Sequence, residues 1–267
     1  MNQLLTITFG SDTHRGLIRT DNQDYCGKYP EDSLKLFSPT GQLFLVADGM
    51  GGHMGGREAS HMAVSIIQQV YFSNLSGDIP KSLHKAFETA NEKIYQVATS
   101  NPNLHRMGTT CTVLALKDDK AFIAHVGDSR AYLINRNKIE QLTQDHSHVA
   151  EMRRQGILTE EEAKVHPDRS ILTRALGVDS TVEVDAINNI PLIAGEYFLL
   201  CSDGLAKVDN KEIKSIILSK TPQQACERLV HLANERGGED NVTTQVIRIN
   251  GKLLQLKEKL LKIIGKY

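Results

Sequence analysis

Apolar positions in this chain come in short bursts whose period changes from one burst to the next. Leu43, Phe44, Leu45 and Val46 form a continuous apolar run, the pattern of a strand covered on both faces. It predicts a strand over 42–47. The run stops at Asp48, and residues 49–56 contain five glycines and one histidine. Glycine at that density abandons regular structure and lets backbone approach a ligand closely. Helical periodicity then begins near Arg57 and predicts a helix over 56–72. A carboxylate therefore stands at the tip of a buried strand, beside bare backbone and ahead of a helix. Taken alone, the stretch reads equally well as a glycine-rich turn with Asp48 as a capping group.

The rest of the chain supplies more such ends. Residues 4–10 alternate loosely as a first strand, and 11–24 (SDTHRGLIRTDNQD) are polar and turn-rich, carrying Arg19. Leu83, Phe87, Ala90, Ile94 and Val97 set a helix over 81–100. Strands are predicted at 109–116, 121–126, 131–134, 197–201 and 242–249, and helices at 210–219 and 222–236. Between them, 144–178 has charged helical pieces (148–155 and 159–165) with little apolar periodicity, and reads as a flap over a surface. His146 and His148, within it, are expected on the surface. Residues 251–267 form an amphipathic, lysine-rich pattern with Leu253, Leu256, Leu260, Ile263 and Ile264 on one stripe. That helix is expected to pack on the domain, with a partner or membrane surface as the alternative. No linker or repeat interrupts the chain, so 1–250 reads as one domain. Strands that cluster, without steady alternation with helices, favour antiparallel sheets covered by helices.

Composition narrows the partners. The 267 residues are 40% hydrophobic and 24% charged, with a net charge of −1, which gives no reason to expect nucleic acid or an anionic membrane. Cys26, Cys111, Cys201 and Cys226 form no CxxC pair. Cys111 and Cys201 fall in apolar runs, as buried free thiols do. No basic leader is visible and no apolar run reaches the ~18 residues of a membrane span. A cytoplasmic protein is expected.

The candidate chemistry lies in a recurrence. Asp48, Asp128 and Asp203 each directly follow an apolar strand, and Asp240 directly precedes one. In antiparallel sheets the end of one strand lies beside the start of its neighbour, so the four can converge. Converging carboxylates repel unless cations compensate them, and oxygen ligands without a Cys/His set point to Mg²⁺ or Mn²⁺. Asp-Gly and Gly-Asp are also ordinary turn dipeptides, so no single one is diagnostic. There is no GxxxxGK[ST], no GxSxG, no HExxH, and no cysteine with an arginine six positions later. Carboxylates and an arginine without an evident nucleophile suit a two-metal hydrolase whose attacking group is water.

At this point the chain resembles the metal-dependent serine/threonine phosphatases of the protein phosphatase 2C (PPM) type, bacterial branch. The motifs run in order: RTDNQD (19–24), VADGMGGHMGG (46–56), MGTT (107–110), HVGDSRAY (125–132), LTQDHS (142–147), ILTRALG (171–177), LCSDGL (200–205) and GGEDNVT (237–243). The resemblance implies an α+β, four-layer αββα sandwich of two antiparallel sheets, with a binuclear or trinuclear metal centre at one end. It implies two Mn²⁺ or Mg²⁺ ions, with a third in bacterial relatives. Asp48 would bridge two ions and the Gly49 carbonyl would contact one. Asp203 and Asp240 would bind the first ion, with Asp24 acting through water, and Asp128 with Asp203 would hold the third. Arg19 would grip the substrate phosphate. Where many relatives carry a histidine after Asp-Gly, this chain has Met50, which leaves His53 as the candidate general acid. Arg15, where acidic residues are common in relatives, is expected on the surface. The implied activity is dephosphorylation of phosphoserine and phosphothreonine in proteins, opposing a Ser/Thr kinase, by a monomer. A catalytically weak, partner-switching phosphatase for one dedicated phosphoprotein is the alternative.

Overall fold

Alternation along the central strands sorts their side chains onto two different buried faces. In the computed structural model, Leu43, Leu45 and Ala47 pack with helical residues, while Phe44 and Val46 pack against a second sheet. The structure describes residues 5–30, 40–51, 54–73 and 77–251. His53 and the expected C-terminal helix (residues 252–267) lie outside the described residues.

The elements run β1 (Thr6–His14), β2 (Asp24–Tyr29), β3 (Gln42–Met50), α1 (Gly55–Ser73), α2 (Ile79–Ser100), β4 (Gly108–Thr109), β5 (Cys111–Lys117), β6 (Lys120–Val126) and β7 (Arg130–Ile134). They continue as β8 (Ile139–Gln141), α3 (His148–Arg154), α4 (Glu160–Val165), β9 (Asp185–Pro191), β10 (Tyr197–Cys201), α5 (Asn210–Ser219), α6 (Pro222–Glu235) and β11 (Val242–Asn250). One antiparallel sheet has the order β1-β11-β10-β7-β8, and the other β2-β3-β5-β6-β9 with β4 paired to β3. Phe44, Leu114 and Ile123 of the second sheet meet Ile7, Phe198, Leu200 and Ile247 of the first. Outside them, α1 and α2 cover one sheet and α5 and α6 the other. This is the four-layer αββα sandwich that the motifs implied. Each large apolar side chain buried in these layers contributes about 1.5–3 kcal/mol.

Local signals set the helix starts. Asp78 accepts the Lys81 N–H at the start of α2, and Thr221 with Gln224 closes a capping box on α6, which satisfies otherwise orphaned N–H groups. Three strands were not predicted. β2 (DYCGKY) contains a glycine and two charges, β8 is three residues long, and β9 (DAINNIP) pairs across a register shift at β6. β1 also runs four residues beyond its expected end. Ser11 to His14 are polar, but each pairs with a residue of β11. Among the described residues no helix is long and apolar enough to cross a membrane.

Candidate metal centre and cleft

Register decides which carboxylates meet. Asp24 opens β2 directly opposite Asp48 on β3, so the two stand side by side at one end of their sheet. Asp48 follows Phe44 and Val46 at two-residue spacing and therefore turns toward the gap between the sheets. Its backbone is fixed from β4 and from the single residue that joins β4 to β5. Asp48 N–H donates to Thr110 Oγ1 at 3.0 Å, while the Thr110 N–H and the Thr109 hydroxyl donate to the Asp48 carbonyl at 2.8 and 2.9 Å.

The other sheet completes the group. Ser202 directly follows β10 and Thr243 lies on β11; both hydroxyls donate to Asp24 Oδ2 at 2.7 Å. Asp203 follows Ser202, and Asp240 precedes β11. Asp240 Oδ2 lies 2.7 Å from Arg19 Nη2. Asn241 accepts the Gln23 N–H at 2.8 Å and donates to the Arg15 and Asp21 carbonyls at 2.9 Å. It thereby holds the loop that carries Arg19. Asp48, Gly49, Asp128, Asp203, Asp240 and Arg19 all line one cleft of about 380 Å³. Asp24 lies behind it, 5% exposed.

The electrostatics show an uncompensated charge. Burial, then Asp203 and Asp240, pushes Asp24 up to about 7 against the pull of Ser202 and Thr243. Burial and then Asp24, Asp203, Asp128 and Asp240 hold Asp48 well above the carboxylate range. Burial and then Asp203 and Asp145 do the same to Asp128, and burial and then Asp240 push Asp203 up to about 6. Asp48, Asp128 and Asp203 keep part of their surface open to the cleft, yet sit deep enough among protein atoms for burial to dominate. The guanidinium of Arg19 is strengthened by its bond to Asp240.

These residues fit divalent cations. Asp24 Oδ1 and Asp203 Oδ1 are buried without a hydrogen-bond partner, a costly state for a carboxylate oxygen that a cation or its water relieves. Among the described residues no three carboxylate, imidazole or thiolate groups are closed into a ready-made ligand cage. The aspartates interact across a cleft and leave space between them for ions.

The raised groups predict a pH dependence for the metal-free protein. An unfolded aspartate ionises near 3.9, whereas folded Asp24 ionises near 7. The folded state therefore holds more protons between those values, and stability falls as pH rises through about 4 to 7. Thermal denaturation in EDTA should give a lower Tm at pH 7.5 than at pH 5, and Mn²⁺ should raise Tm more at pH 7.5. A Tm in EDTA that climbs over this range would remove the argument.

Some side chains depart from expectation. Arg19 reaches the cleft with one nitrogen paired to Asp240. His146 is a correction: expected on the surface, it is 4% exposed, because Gly127 and Asp185 supply hydrogen-bond partners on both ring nitrogens. His148 and Arg15 are exposed, as expected. Sequence reasoning missed Ser202, Thr243 and Asn241 as supports. Their only signal was a polar residue next to Asp203 and Asp240 at a strand end, and a threonine one residue inside β11.

Comparison with known proteins gives the same answer as the cleft. The protein phosphatase 2C family model matches residues 19–246. The serine/threonine phosphatase stp of Listeria innocua is 37% identical, over 89% of this chain and 94% of its own. The crystal structure of Stp1 from Staphylococcus aureus superposes with a TM-score of 0.83 at 33% identity, covering 92% of this chain and 96% of that one. The catalytic domain of the phosphatase PstP in complex with two manganese ions superposes at 0.78 and 29% identity, covering 92% and 99%. With a match that spans both sheets and every aspartate of the cleft, the chain belongs to the protein phosphatase 2C family.

Proposed function

We propose that this serine/threonine phosphatase hydrolyses phosphoserine and phosphothreonine in proteins with Mn²⁺ or Mg²⁺ held by Asp48, the Gly49 carbonyl, Asp203 and Asp240. Asp24 acts through water, and Asp128 serves a third ion with Asp203. The carrying observation is the convergence on one cleft of aspartates from both sheets, with a buried oxygen lacking a partner on Asp203 in the cleft and on Asp24 behind it. The manganese ions in the PstP structure support the choice of metal. When bound, the ions supply positive charge that acidifies a water and offsets the charge of the phosphate.

The chain's own groups do the rest. Thr109 and Thr110 fix Asp48, and Ser202 and Thr243 fix Asp24, so the carboxylates need little reorganisation as charge develops. Arg19 is 55% exposed, with Asp240 holding Nη2. Its planar fork suits two phosphate oxygens, which a lysine does not match. His53 is our candidate proton donor to the leaving alkoxide. We take 144–178 as a substrate-facing flap, and the protein as a cytoplasmic monomer opposing a Ser/Thr kinase. Four unpaired cysteines support a reducing compartment.

Hydrolysis of p-nitrophenyl phosphate and of a phosphothreonine peptide should require Mn²⁺ or Mg²⁺ and stop with EDTA. Metal-independent turnover overturns the proposal. Arg19→Ala should raise KM for both substrates by about 10- to 100-fold, the worth of a charged hydrogen bond, with a smaller loss in kcat. An unchanged KM would remove Arg19 from phosphate binding.

A further inference from the structure

Asp128 is held through its neighbours. Gly127 donates its N–H to His146 Nδ1 at 3.0 Å and accepts the His146 N–H at 2.8 Å. On the other side, the Ser129 hydroxyl lies 2.6 Å from Thr110 Oγ1. One residue further, Arg130 grips Asp145 through Nε at 3.0 and 3.1 Å and through Nη2 at 2.6 Å. Asp145 and His146 form the root of the 144–178 segment, directly before α3. The segment therefore ties down residues on both sides of Asp128.

The far end of the segment reaches the same knot. Because His146 Nδ1 accepts a backbone N–H, its ring is assigned as neutral with the proton on Nε2. That nitrogen faces Asp185 Oδ2 at 3.1 Å. Arg174 donates to Asp185 Oδ1 at 2.6 Å, and Thr173 N–H donates to the His146 carbonyl at 2.9 Å. Both ends of the segment thus close on His146, and His146 closes on Gly127.

We propose that Asp145 and His146 are positioning residues for Asp128. The inference rests on the reading of Asp128 as an ion ligand. Partners that orient a ligand typically tune metal affinity by about 10- to 100-fold.

The test is calorimetric titration of the metal-stripped protein with Mn²⁺, with unfolding in EDTA as the check on folding. His146→Leu fills the space without an acceptor, whereas His146→Asn puts an amide oxygen where Nδ1 stood. The weakest Mn²⁺ step should weaken about tenfold in the leucine variant and stay within about threefold in the asparagine variant, with tighter binding unchanged. Asp145→Asn, which loosens the grip on Arg130, should shift that step in the same direction and covers the case of a leucine variant that does not fold. Equal losses in the leucine and asparagine variants, or an unchanged weak step in folded His146→Leu or in Asp145→Asn, overturn the inference. Asp128→Ala separates the two readings. If it leaves the isotherm intact, the ligand assignment falls and takes the inference with it. If it loses an ion while the positioning variants do not, the inference alone falls.

Discussion

Asp48→Asn is expected to lower kcat by about a thousandfold or more while the protein stays folded. The substitution keeps the shape of the side chain. The bonds that fix residue 48 run from its backbone to Thr109 and Thr110 and survive the change. What disappears is an ionisable group whose charged form is disfavoured by burial and then by Asp24, Asp203, Asp128 and Asp240. The metal-free variant should therefore melt at the wild-type temperature or above it. With Mn²⁺ the order should reverse, since the variant lacks the ligand expected to touch two ions, and its metal-induced rise in Tm should shrink. The loss of rate follows from several kcal/mol of charge stabilisation at about 1.36 kcal/mol per decade. Steady-state kinetics with saturating Mn²⁺, paired with melting curves in EDTA and in Mn²⁺, reads both halves. A variant within tenfold of wild type would end the role given to Asp48. A variant that is inactive and also unstable in EDTA would show Asp48 to be structural.

What could be read from sequence follows from where the signal lives. Asp48, Asp128 and Asp203 were visible because each interrupts an apolar run of four or more residues, a local event. Strand pairing is not local. Nothing in DYCGKY shows that Asp24 lies opposite Asp48, and β2 itself escaped notice because Gly27 and Lys28 break its pattern. Arg19 and Asp240 stand 221 positions apart, yet their side chains touch. His146 is the sharper case. A histidine in a charged stretch looks solvated until Gly127 and Asp185, 19 and 39 positions away, are brought to its two ring nitrogens. The layers were legible because helix and strand periods differ; the supports behind the aspartates were not, because a serine or threonine at a strand end carries no period.

Gly49→Ala should cost a large part of the fold's stability, and the reason is space. A Cβ at Gly49 would lie 2.0 Å from the Gly56 carbonyl oxygen, 2.4 Å from its carbon and 2.9 Å from the Gln23 carbonyl oxygen. All three are backbone atoms, so no side-chain rotation relieves the clash. Gly49 cannot easily shift either: it pairs with Thr109 on β4 and donates its N–H to Gln23 at 3.2 Å. Overpacking against movable side chains costs about 1–3 kcal/mol, and fixed backbone places this site at or above the upper end, near 3 kcal/mol. For a domain of this size that is a fall in Tm of about 6–12 °C. Gly156→Ala is the matched control. Gly156 has φ +73° with nothing within 4 Å, so an alanine there meets only the left-handed penalty of about 1–2 kcal/mol. If melting in EDTA gives Gly49→Ala the smaller loss of the two, the close approach of Gly49 to Gly56 and Gln23 is not what demands glycine.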